Sequence, residues 1–169
     1  MMALFKRLRW AVLVCALAGF SAPLSAHLLN ETTAQVILRD GQVEVRVTTG
    51  IDHLVSALQN DQAWLLGDID AVMPDDLSAS EQEAFIKNAL QQKTRLTVNQ
   101  QTISFERVSL TKNALTHSSE IVFQAKHTFP EVTALSIAFH KILGPVHASF
   151  VKPQYKLLSA GESANVAFK

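Results

Sequence analysis

Cysteine is almost absent from this chain: Cys15 is alone among 169 residues, and it sits in a leading stretch with the marks of a cleavable export signal. Its loss with that stretch removes disulfides and thiol chemistry from what is left, so stability has to come from an apolar core. A basic excess is lacking too. Lys+Arg and Asp+Glu stand at 15 each, and because Lys6, Arg7 and Arg9 lie in the signal, 12 basic residues then face 15 acidic ones, a formal charge of −3. That balance argues against nucleic acid and anionic membrane as partners, both of which call for a basic face. Long hydrophobic runs are scarce, and the one from Trp10 to Phe20 falls short of the roughly 20 residues a bilayer span needs. No G-x-S-x-G elbow, H-E-x-x-H helix, P-loop or dinucleotide fingerprint occurs. The reading is therefore non-enzymatic; a secreted hydrolase has only unplaced Ser, His and Asp in its favour.

The leader is built as export requires. A basic n-region precedes the apolar run, and Pro23 is followed by the small-residue site Leu24-Ser25-Ala26. Cutting after Ala22 would put Pro23 first, where signal peptidases work poorly, so the expected cut follows Ala26 and leaves His27 as the new N-terminus. Cys15 is no lipoprotein cysteine, because Val14 before it is too large for that processing site. The expected organisation is a signal over 1–26 and one domain over 27–169, periplasmic, with no stable membrane insertion after cleavage. Its 143 residues suffice to bury about two-thirds of the unfolded surface.

Period-two alternation dominates the rest. Ala34, Val36 and Leu38 alternate with polar residues, Asp40-Gly41 offers a turn, and Val43, Val45 and Val47 answer. Ile51, Leu54, Val55 and Leu58 then form a helical stripe, and Trp64-Leu65-Leu66 reads as a second apolar anchor before an acidic loop with Asp68, Asp70, Asp75 and Asp76. A second helix is expected at about 79–92, with Ser80 and Glu83 as a capping box and Phe85, Ile86, Ala89 and Leu90 as its stripe. Strands follow through Leu96 and Val98, through Ile103 and Phe105 after a turn at Asn99-Gln100-Gln101, and through Val108 and Leu110. The parity slip at Glu106-Arg107 reads as a β-bulge. Further strands run through Ile121, Phe123 and Ala125; Leu135, Ile137 and Phe139; Val146, Ala148 and Phe150; and Val166 and Phe168. The fold class is mainly β: an antiparallel β-sandwich of seven to eight strands with a short helical insertion, about 51–92, after the first hairpin.

Six histidines are the reactive inventory. His27, once N-terminal, can chelate a metal through its α-amino nitrogen and Nδ1, which suits Cu(II) and also Ni(II). If Gly144-Pro145 is a two-residue turn, His140 and His147 project from one strand face as diagonal neighbours roughly 7–8 Å apart, in reach of a shared ion. His53 lies opposite the helical stripe and reads as exposed; His127 shares parity with the Ile121, Phe123, Ala125 strand and reads as a core-edge residue; His117 falls in a loop. His27, His140 and His147 are the candidate metal ligands.

The order of features, a signal, Ala26-His27-Leu28, a hairpin ending in GQVEVRV, a helical DHLVSAL and a late LSIAFHKILGPVHASFVK, resembles the extracytoplasmic N-terminal domain of HupE/UreJ-type membrane proteins. That likeness implies a β-rich domain associated with nickel or other metal handling, with His27 and His147 as the positions carried over. In that family transmembrane helices follow, and none follows here before Lys169, so transport is not carried over. A mature N-terminal histidine on a small β-sandwich is also similar to CopC-like periplasmic copper carriers, although only Met73 would remain for a methionine-type copper(I) site. The expected role is an accessory in copper or nickel handling, partnering an inner-membrane metal transporter or other envelope protein; the alternative is a metal-free structural or protein-interaction domain.

Overall fold

The computed structural model describes residues 31–113, 118–155, 157–158, 160 and 163. The first hairpin pairs β1 (Thr32–Arg39) with β2 (Gln42–Gly50) antiparallel, in a register running from Thr33↔Thr48 to Arg39↔Gln42. Gly41 closes it at φ 72°, a left-handed conformation that glycine adopts without a Cβ clash. Alternation then decides the faces. Ala34, Val36, Val43, Val45 and Val47 turn inward and are buried.

Three helices fill the insertion: α1 (Ile51–Leu58), α2 (Asp61–Leu65) and α3 (Ala79–Lys93). Leu54 and Leu58 of α1 and Ile86 and Leu90 of α3 are buried, as the helical stripes require. The capping box sits two residues earlier than expected. Ser78 caps α3 and Glu81 accepts the Ser78 backbone N–H at 2.9 Å. Trp64, Leu65 and Leu66 are no core anchor, for α2 and its C-terminus leave them 51%, 74% and 69% exposed.

The remaining strands are β3 (Arg95–Val98), β4 (Gln101–Ile103), β5 (Arg107–Asn113), β6 (Ser118–Lys126), β7 (Leu135–Ala138) and β8 (Val146–Val151). They form a five-stranded sheet in the order β5-β6-β2-β1-β8 and a three-stranded sheet β4-β3-β7. All pairings are antiparallel except β1 with β8. Side chains of both sheets and the helices meet in one core, including Val45, Ile121 and Phe123 from the larger sheet, Leu96 and Val98 from the smaller, and Leu54, Ile86 and Leu90.

Two connections differ from the sequence reading. The parity slip at Glu106-Arg107 is no bulge: β4 ends at Ile103 in the small sheet, the chain crosses through Phe105, and β5 begins at Arg107 in the large one. Changing sheets inverts which parity faces the core, and Phe105 marks the crossing by lying 5.0 Å from Phe123, ring centre to ring centre. Gly144-Pro145 does not make a hairpin either. A 3-10 turn (Lys141–Leu143) carries the chain from β7 in one sheet to β8 in the other. Buried Thr32 donates to the Leu143 carbonyl at 2.8 Å, which fastens this turn to β1. The expected strand through Val166 and Phe168 lies outside the described residues.

Candidate functional site

β8 reads Val146-His147-Ala148-Ser149-Phe150-Val151, with neither charge nor proline. It adds to β1 in parallel, from Thr32↔Val146 to Ile37↔Val151, and has no second strand neighbour among the described residues. Paired residues share a face, so Ala148 and Phe150 continue the inward face of Ala34 and Val36. Yet Val36 is 1% exposed and Phe150 58%, because the core reaches β8 only at Val146 and leaves the rest of the edge uncovered. Edge strands are normally kept short or guarded by charge, since their unpaired N–H and C=O groups invite another strand. The other edges obey this: β5 carries Arg107 and Lys112, β4 has three residues and β7 four. β8 has six residues and no charge to guard it. Exposed Tyr155, Leu157 and Leu158 follow it.

The outer face of the large sheet is polar and tightly paired. Burial pushes the Glu44 carboxyl upward, but hydrogen bonds from Arg46 and Gln124 and the charges of Arg46 and Arg39 outweigh it and hold the group below its ordinary range. Arg46 Nε donates to Glu44 at 2.7 Å and Arg39 at 3.3 Å. Interaction with the Tyr155 side chain, then the charge of Glu44, raises the Arg39 pKa. This is a satisfied network rather than a reactive one.

The histidines separate. His27 and His117 lie outside the described residues. His147 is exposed on β8 beside Thr33, on the face opposite Phe150. His140 is 3% exposed and precedes the 3-10 turn, where its Nδ1 accepts the Ile142 N–H at 3.2 Å. The expected strand-face pair of His140 and His147 therefore does not form, because one sits in the connection after β7 and the other on β8 of the other sheet. An Nδ1 that accepts also fixes the neutral ring's proton on Nε2, the reverse of a usual metal ligand, whose second nitrogen donates to a carbonyl or carboxylate. Burial, then the charge of Lys93, lowers the His140 pKa, against the pull of Asp70 and Asp68. His53 is half-buried rather than exposed, its Nε2 3.1 Å from the Ile142 carbonyl. His127 is the core-edge residue its parity implied, with Nε2 3.3 Å from the Arg39 carbonyl and Nδ1 buried without a partner.

Among the described residues, no three of His, Cys, Asp and Glu gather as a metal site, and no helix is long and apolar enough to cross a membrane. Sequence reasoning missed the β8 edge because it paired β8 with β7. The available signal was the lack of charge over Val146–Val151. It also missed a groove beside His140, lined by Phe85, Asn88, Ala89 and Gln92 of α3 and by 69–71. The spacing of those four is i, i+3, i+4, i+7, one helix face. No family model, curated protein or solved structure matches the chain.

Proposed function

We propose that this is an exported, non-enzymatic interaction domain that docks on an envelope membrane protein by lending β8 to a partner strand. The observation that carries it is the unguarded edge: six uncharged residues, hydrogen-bonded on one side, with Phe150 exposed on the core-facing side of the sheet. An added strand gains main-chain hydrogen bonds along β8, and its alternate apolar side chains cover Ala148 and Phe150. Export through the 1–26 signal, with cleavage after Ala26, gives the domain its access to the envelope. Phe150→Lys puts a guarding charge on the edge without disturbing a buried residue. It should release the protein from the membrane fraction of producing cells while leaving thermal unfolding unchanged, and unchanged fractionation would count against the proposal.

A second reading, binding of Cu(II) or Ni(II) by His27 with His147, is supported by the β1–β8 register. His147 stands beside Thr33, only six residues along the chain from His27, a reach of up to about 20 Å. His140 has less claim in this reading, since its Nδ1 is already engaged as an acceptor. Copper titration of the mature protein tests it: His27→Ala and His147→Ala should each weaken binding, and His53→Ala should not. Equal affinities in all three variants would mean adventitious surface binding.

A further inference from the structure

The groove between α3 and residues 69–71, beside His140, has a volume of about 230 Å³. That is below the roughly 300–1,000 Å³ of sites for drug-sized ligands, so any occupant is compact. Its polar groups are already partly committed, and the commitments define what they can still offer. His140 Nδ1 accepts from Ile142, which leaves Nε2–H as a donor. Asn88 Oδ1 accepts from Gln92 Nε2 at 3.2 Å, which leaves the Asn88 NH₂ as a donor and Gln92 Oε1 as an acceptor. Asp70 spends one carboxylate oxygen on Lys93 at 2.7 Å and keeps the other. Phe85, Ala89 and Ile69 supply an apolar wall.

Charge narrows the class further. Asp70 is balanced by Lys93, and nearby Asp68 by Lys141 at 2.6 Å, so a net-charged ligand would find no spare counter-ion here and would lose hydration without compensation. Two donors, two acceptors and an aromatic wall in a charge-balanced groove match one group well: a carboxamide on a small apolar or aromatic body. Its carbonyl accepts from His140 and Asn88, and its N–H groups donate to Gln92 and Asp70. We propose that this groove binds compact, uncharged carboxamides, with Asn88, Gln92, Asp70 and His140 reading the amide and Phe85 holding the body. This site is independent of the β8 edge.

Benzamide is the probe, with benzoate and benzylamine as charged analogues of the same size. In an NMR titration at pH 7.5, benzamide should shift the resonances of Asn88, Gln92 and His140. Both analogues should bind roughly tenfold more weakly or worse, the scale of one good hydrogen bond. Asn88 is exposed, so Asn88→Ala leaves the fold intact and should weaken benzamide roughly tenfold, while Gln82→Ala on the same helix should change nothing. Shifts scattered over the surface, equal affinity for the three probes, or an Asn88→Ala variant that binds like wild type would each overturn the proposal.

Discussion

Replacing His140 by leucine should destabilise the fold in a way that depends on pH. At pH 7.5 the neutral ring accepts the N–H of Ile142, itself only 6% exposed, so leucine leaves a buried donor without an acceptor. That omission costs about 1–3 kcal/mol, or about 4 °C in Tm for each kcal/mol in a chain of this size. Acid changes the comparison. Burial and Lys93 set the folded pKa of His140 below its ordinary 6.5, so between the two values the unfolded wild type binds the proton that the folded state refuses. The histidine's contribution is thus complete above about pH 6.5 and declines as pH falls toward the folded pKa, with a limiting slope of about 1.4 kcal/mol per pH unit. Leucine does not titrate, so the gap between wild type and His140→Leu should narrow on going from pH 7.5 to 5.5. Urea unfolding followed by far-UV circular dichroism is the assay, since Trp64 is too exposed to report on the core. A gap that stays constant or widens in acid would refute the lowered pKa, and no destabilisation at pH 7.5 would refute the assignment of Nδ1 as the acceptor.

Phe123 is fully buried and stacks at a tilt on Phe105, where the chain passes between sheets. Phe123→Ala should therefore cost about 3–5 kcal/mol, read from the urea midpoint at constant m-value. At the start of α3, Ser78→Ala should cost about 1 kcal/mol through loss of the cap, whereas Ser80→Ala should shift the thermal midpoint hardly at all. The opposite order would return the cap to Ser80 and Glu83.

What could be read from the residues alone was what neighbours in sequence decide. The β1–β2 hairpin and the helical stripe of α3 are local patterns, and each appears where the alternation of Val43, Val45 and Val47 or the spacing of Ile86 and Leu90 sets it. Ser78-x-x-Glu81 and Ser80-x-x-Glu83 both satisfy the same local rule, so spacing alone could not choose the cap that Ser78 and Glu81 form. At Glu106-Arg107 a bulge and a change of sheet invert parity alike, so the spacing could not tell them apart. The β1–β8 pairing joins residues more than a hundred positions apart, and nothing near Gly144-Pro145 announces that Thr32 will hold Leu143. The candidate sites were the least legible. Histidine positions are visible in a sequence, but which ring nitrogen is engaged, as at His140 and His127, follows from backbone groups that only the fold brings near.

The β8 edge is best tested by site-specific photocrosslinking in producing cells. A photoreactive side chain at Ser149, on the unguarded strand, should give one discrete adduct with an envelope membrane protein, and Phe150→Lys in the same chain should abolish it. The same group at Thr111 on β5, whose edge is guarded by Arg107 and Lys112, should give none. Adducts of equal yield from both edges, no adduct from Ser149, or an adduct indifferent to Phe150→Lys would contradict a docking role for β8.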